Sequence, residues 1–137
     1  MPVIAILSNK DIIFHNARVY SSSDCDYEIF CDILLVMPEF NAENFKISTK
    51  IAIIYGDLGF NCFRNVKYDE IIVYGMSSKS TVTISSSTSS EILIAIQREI
   101  TDFSDNIIEI GERLFQNFRE NTLETLALSI LFIITGN

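Results

Sequence analysis

His15 is the chain's only histidine, so any Ser-His-Asp or Cys-His arrangement must be built on it. It stands between Phe14 and Asn16 with no serine or cysteine motif beside it. Cys25, Cys31 and Cys62 are odd in number and lack the paired close spacings of a zinc site. A structural histidine and buried free thiols are therefore expected. The acidic pairs Asp24/Asp26 and Asp69/Glu70 offer oxygen ligands for a cation. Their alternation with apolar residues reads instead as solvated strand or loop edges, and no metal site is expected. Ser77-Ser78-Lys79-Ser80 imitates the tail of a phosphate-binding loop but lacks the glycines that let a backbone curl around phosphate. With 5 glycines in the whole chain, neither G-x-x-x-x-G-K-[ST] nor G-x-G-x-x-G occurs. No cofactor is expected, and the serine stretch reads as a locally hydrogen-bonded corner.

The elements that must position these residues follow from hydrophobic patterning. Residues 3–7, 33–37, 51–55 and 71–74 are apolar runs rich in Ile and Val without clean alternation. Strands buried on both faces of a parallel sheet read this way. The last three runs end in "MPEF", "YGDLGFN" and "YGMSS", and open α/β sheets place ligands in such carboxyl-end loops. If a small-molecule ligand binds, Tyr55, Asp57, Tyr74, Ser77, Ser78 and Lys79 are the candidate residues. The intervening segments leave room for crossovers, but their Ser and Asn content disfavours helix. Residues 12–14 offer a further strand, hairpinned to residues 3–7.

After Gly75 the pattern changes. Val82 and Ile84 alternate with Thr81, Thr83 and Ser85, while Ile92, Ile94 and Ile96 share one face. This predicts a one-sided antiparallel hairpin with a Ser/Thr-rich loop. A third short strand is expected at 107–110, after the turn "DFSDN". A terminal helix starts near Asn121 or Thr122: Leu123, Leu126, Ala127, Ile130, Leu131 and Ile134 fall at helical spacing, Glu124 suits the first-turn dipole, and Gly136 stops it. Leu128, Phe132 and Ile133 lie off that stripe, so this helix needs a second cover from a loop or another subunit. The expected architecture is a single α/β domain over 1–137, in two or three layers. Its mostly parallel sheet comes from βα units in 1–76, its antiparallel extension from 77–111 and its buried helix from 120–136.

Composition limits the partners. At 137 residues, 48% hydrophobic and 20% charged, the chain can bury a real core. Its 10 basic against 18 acidic residues give a net charge of -8, which repels a phosphate backbone, so nucleic acid is not an expected partner. Lys46, Lys50, Arg64, Lys67, Lys79 and Arg98 are scattered singly rather than clustered. The longest apolar stretch, 126–134, is too short to span a bilayer, so no membrane association is expected. The start "MPVIAILSNKD" has no basic residues ahead of a short apolar run, and the cytoplasm is the expected location.

Residues 32–136, through "CDILLVMPEF", "KIAIIYGDLGFN", "EIIVYGMSSKSTVTISS", "EILIAIQREI" and "ENTLETLALSILFIITGN", resemble the later half of the central domain of Mur ligases, the ATP-dependent amide-forming enzymes of cell-wall synthesis. The resemblance places Tyr74-Gly75 at the end of a parallel strand, small antiparallel strands next, and a helix beginning at Asn121 and running to Gly136. The family's ATP-binding P-loop is missing and its His-Asn dipeptide is represented by Glu120-Asn121; a separate carboxyl-terminal ligase domain is not expected. The resemblance thus implies a stripped domain that keeps the sheet without the phosphate chemistry. The sequence therefore points to a non-catalytic domain that works by binding, as a homo-oligomer or with another protein through Leu128, Phe132 and Ile133. The alternative is a small-molecule or nucleotide-binding enzyme with its site at the strands' carboxyl ends.

Overall fold

The computed structural model describes residues 2–25, 28–58 and 64–136. In chain order the elements are β1 (Ile4–Leu7), β2 (Ala17–Tyr20), β3 (Glu28–Val36), β4 (Lys46–Tyr55), β5 (Val66–Tyr74), β6 (Val82–Ser87), β7 (Glu91–Ile96), β8 (Ile100–Thr101), β9 (Ile107–Ile108), β10 (Gly111–Gln116) and the helix α1 (Thr122–Thr135). The sheet order is β10-β7-β6-β5-β4-β3-β1-β2, while β8 and β9 form a separate two-stranded ladder. From β2 across to β6 neighbouring strands run parallel; β6-β7 and β7-β10 are antiparallel. This is an α/β fold with a mostly parallel sheet and an antiparallel extension.

The runs of Ile and Val form the central strands because such strands are dry on both faces. Ile33, Leu34, Leu35 and Val36 of β3 and Ile51, Ala52 and Ile53 of β4 are all fully buried. On one face, Ile6, Ile33, Leu35, Ile51, Ile53 and Tyr74 pack with α1, whose Leu126, Ala127, Ile130, Leu131 and Ile134 are 1% exposed or less. α1 begins because the Asn121 side chain accepts the Leu123 amide at 2.9 Å. It ends because Gly136 turns left-handed at φ 79°, which a Cβ would disfavour.

On the other face, Ala5, Leu7, Leu34, Val36, Ala52 and Ile54 meet no helix. The β3–β4 connection covers them with Phe40, Ala42 and Phe45, the two rings 5.6 Å apart. The crossover of residues 37–45 closes two turns, the Phe40 amide donating to the Met37 carbonyl at 3.2 Å and the Phe45 amide to the Ala42 carbonyl at 3.0 Å, and its side chains supply the layer that a helix supplies elsewhere. Among the described residues α1 is the only α-helix.

The central strands extend further back than their apolar runs. The polar halves "EIFCD", "KISTK" and "VKYDE" pair in register, then skip Asp32, Lys50 and Asp69 in one shared row. There the amides of Asp32 and Ile33 both donate to the Val3 carbonyl, at 2.8 and 3.1 Å, as at a β-bulge. The skip changes parity, so Ile29 and Ile47 bury on the loop-covered face although Ile33 and Ile51 bury on the helix face.

Two local expectations are corrected. Residues 12–14 are not a strand, and the neighbour of β1 is β2, running parallel to it. Buried Ile12 and half-buried Phe14 pack onto the helix-face core, and the Phe14 ring meets Phe132 at 4.9 Å. That loop is the second cover α1 required. The short strand expected at 107–110 is present over Ile107–Ile108, but it pairs with β8; the third strand of the antiparallel extension is β10.

Candidate functional site

The strand order reverses around β1: the chain leaves it for β2 on one side and returns to β3 on the other. An open sheet of this order splays its loops apart at that switch point. A cleft of about 200 Å³ lies there, lined by Ser8, Asn9 and Lys10 after β1, by Met37, Pro38, Glu39 and Phe40 after β3, and by Asn121 and Glu124 of the α1 start. Ser8 Oγ accepts the Lys10 amide at 3.0 Å and donates to the Lys10 carbonyl at 3.1 Å, fixing the loop. Glu39 sits at φ 66°, a left-handed conformation uncommon for a residue with a Cβ.

Glu124 supplies the cleft's strongest electrostatics. Its side chain is 8% exposed, and its carboxylate accepts from Lys10 Nζ at 2.6 Å and from Arg119 Nη2 and Nε at 2.8 and 3.1 Å. Burial alone would raise its pKa; the bonds and charges of Lys10 and Arg119 outweigh that and hold the carboxyl below its ordinary value. Arg119 also donates from Nη1 to the Asp11 carbonyl at 3.4 Å. The triad ties the β1 loop and the segment before α1 to the helix's first turn. In the sequence Glu124 stands out only as a helix-start residue: Lys10 is far from it along the chain and only the topology brings the two together, while Arg119, five residues before it, carries no motif that marks an ion pair.

The expected ligand residues fall into two groups. Tyr55, Asp57 and Tyr74 come together at the ends of β4 and β5. Tyr74 is fully buried and donates to the Val36 carbonyl at 2.6 Å, and its ring lies 5.6 Å from that of Tyr55. Burial, then the neighbouring Tyr55 and Glu124, push the Tyr74 phenol well above its ordinary pKa. Burial and a hydrogen bond to Asp57 raise that of Tyr55. Gly75, at φ 154°, passes so close to Asp57 that a Cβ would lie 3.2 Å from both carboxylate oxygens. Tyr74 thus serves the core, and Asp57 braces the start of the next loop.

Ser77, Ser78 and Lys79 are exposed and Ser80 is buried. The Ser80 amide donates to the Ser77 carbonyl at 3.0 Å and the Lys79 amide to Ser77 Oγ at 3.2 Å, closing a turn. Gln97 Nε2 donates to the Ser80 carbonyl at 2.7 Å, fastening the turn to the hairpin. The stretch is the corner between β5 and β6, and it stands apart from the switch-point cleft.

His15 is exposed, Asp69 and Glu70 are exposed on β5, and Asp24 caps the short turn after Ser21 through Oδ2. Asp26 and Cys62 lie outside the described residues. Cys25 and Cys31 are free and half-buried, and burial raises the Cys31 thiol pKa. Among the described residues no group of acidic, histidine and cysteine side chains is placed to hold a metal ion, and no helix is long and apolar enough to cross a membrane.

The residues expected at an interface lie on α1. Leu128 is 4% exposed within the chain's own core, so a charge there would destabilise the fold itself. Phe132 is half-buried against Phe14, and Ile133 is half-buried beside the same core. Exposed apolar side chains instead gather along the chain around β10: Ile107 at 65%, Ile110 at 66%, Leu114 at 61% and Phe118 at 51%. No known protein family, no curated protein and no solved structure matches this chain.

Proposed function

We propose that this chain is a non-catalytic α/β binding domain that works by protein association, its first partner being a second copy of itself. The observation that carries the reading is the unpaired edge of β10, where the sheet ends in a strand whose flanks and centre expose large apolar side chains. Such an edge invites another strand through its free N–H and C=O groups, and folded proteins usually blunt it with charges, proline or a cover; β10 carries the charges Glu112 and Arg113 but, among the described residues, no proline and no further strand. An exposed apolar patch beside it marks an interaction site. Sedimentation velocity of the wild-type chain, from low-micromolar to millimolar concentration, tests this. A concentration-dependent shift from monomer to dimer is expected, and a monomer throughout would overturn it.

A stripped Mur ligase-like ancestry is consistent with this reading. It is supported by Tyr74-Gly75 closing a parallel strand, the antiparallel strands that follow, and the Asn121-capped helix ending at Gly136. A second reading, a small polar ligand at the sheet's carboxyl ends, is favoured by the coincidence of the cleft with the switch point between β1 and β3. A mass spectrum under non-denaturing conditions tests it: retained small-molecule mass lost on Asn121→Ala supports the ligand reading, and bare protein opposes it.

A further inference from the structure

Edge strand β10 and its two flanks carry a pattern that reads the same in both directions. Ile110, Glu112, Leu114, Gln116 and Phe118 run apolar, polar, apolar, polar, apolar, with Leu114 at the centre. Glu112, Leu114 and Gln116 alternate within β10 and so share one sheet face. The intervening Phe115 turns to the opposite face and packs on the helix-side core. Leu93 of β7 lies directly across from Leu114 and is itself half-buried, so the outer face already holds an apolar cross-strand pair at this point.

The backbone has a matching polarity. The Asn117 amide donates to the Ser90 carbonyl at 2.9 Å, on the β7 side. In an antiparallel ladder, alternate residues turn both N–H and C=O to the same neighbour. Residues 111, 113, 115 and 117 therefore bond β7, and Glu112, Leu114 and Gln116 turn their amides and carbonyls to the open edge.

We propose, building on the self-association reading, that two copies of this chain pair antiparallel through β10 about a two-fold axis at Leu114, joining their sheets into one continuous sheet. A two-fold axis perpendicular to the sheet keeps the same face up in both copies, so only residues of like parity can stand opposite each other. Centred on Leu114, the register sets Leu114 against its own copy and Glu112 against Gln116. Ile110, at the bend before β10, and Phe118, two residues past it, then stand at the two ends of this register. Every outward residue then meets one of its own kind, and Arg113 meets the Phe115 ring rather than another cation. Centring on Arg113 would oppose two like charges across the axis, which destabilises a cross-strand pair. Centring on Phe115 would set Leu114 against Gln116. Of these three registers, the one centred on Leu114 satisfies both charge and apolarity. An interface of one short strand per side is at the small end of specific contacts, so a weak, reversible dimer is expected. Because each copy carries a net charge of -8, added salt should strengthen the dimer by screening repulsion.

Cysteine variants made in a background with Cys25, Cys31 and Cys62 replaced by serine test the register. Residues opposed as a hydrogen-bonded antiparallel pair have Cα atoms about 5.5 Å apart, within disulfide reach. Leu114→Cys should therefore form a covalent dimer under mild oxidation by diamide, with the 114–114 bond mapped by peptide mass spectrometry and absent from the wild type. Glu112→Cys alone should not cross-link, and Glu112→Cys with Gln116→Cys in one chain should. Leu114→Lys, at an exposed position, should keep the fold by circular dichroism and weaken the dimer about tenfold or more, since it opposes two cations on the axis. A dimer that cross-links through Glu112→Cys but not Leu114→Cys, or one indifferent to Leu114→Lys, would overturn this register and leave self-association standing. A wild-type chain that stays monomeric would overturn both.

Discussion

Replacing Glu124 by alanine should destabilise the fold by about 2–5 kcal/mol. Arg119, with its side chain 26% exposed, gives Glu124 two hydrogen bonds; a bond to a charged group contributes roughly 1.5–3 kcal/mol net. Lys10 is 65% exposed at its side chain, so its ion pair adds only about 0–1 kcal/mol after screening by solvent. The carboxylate in the first turn of α1 adds roughly 0.3–1 kcal/mol through the helix dipole. Glu124→Gln keeps the shape and an acceptor oxygen for Arg119, so its cost should be nearer 1–2 kcal/mol. Because Lys10 and Arg119 lower the folded-state pKa of Glu124 below its ordinary value of 4.5, the carboxylate's contribution is complete above that value and is lost as pH falls through the folded-state pKa. Urea denaturation at neutral pH and across the acid range checks both points. The gap between wild type and Glu124→Gln should be widest at neutral pH and narrow in acid. A neutral-pH loss of only a few tenths of a kcal/mol, or a gap that does not change with pH, would refute the reasoning.

Leu131→Ala should cost about 2–5 kcal/mol in chemical denaturation, because Leu131 is fully buried between α1 and the sheet and its loss leaves a cavity. In a spectrophotometric titration, Tyr74 should ionise only together with unfolding, since burial and its bond to Val36 hold it protonated well past the ordinary tyrosine range; Tyr74→Phe should remove that late step. Lys79→Ala should change stability by under about 0.5 kcal/mol, as exposed turn positions do. Isothermal titration with ATP, ADP and UDP-sugars should show no binding to the wild type or to Lys79→Ala; binding abolished by the variant would restore a ligand role to that corner.

What the sequence disclosed is what burial writes into it. The Ile- and Val-rich runs announced the central strands, the alternation in "STVTISS" and "EILIAIQ" announced the β6–β7 hairpin, and Asn121 and Gly136 marked the ends of α1. Elements with little burial stayed hidden. β10 buries no residue, so its sequence carries no strand signal, and it forms because β7 presents an edge. β2 likewise consists of half-buried and exposed residues. The switch-point cleft was illegible for a different reason. Strand order, not composition, decides which carboxyl-end loops separate, and the loops after β4 and β5 had equal claim until β2 took its place beyond β1.

Amide hydrogen exchange read residue by residue at two protein concentrations tests the β10 dimer most directly. In dilute solution the amides of Arg113 and Phe115, bonded to β7, should be protected while those of Glu112, Leu114 and Gln116 exchange freely. In concentrated solution these three should become protected as well, and Leu114→Lys should abolish only that gain. Exchange at Glu112, Leu114 and Gln116 that stays fast at every concentration would contradict the account.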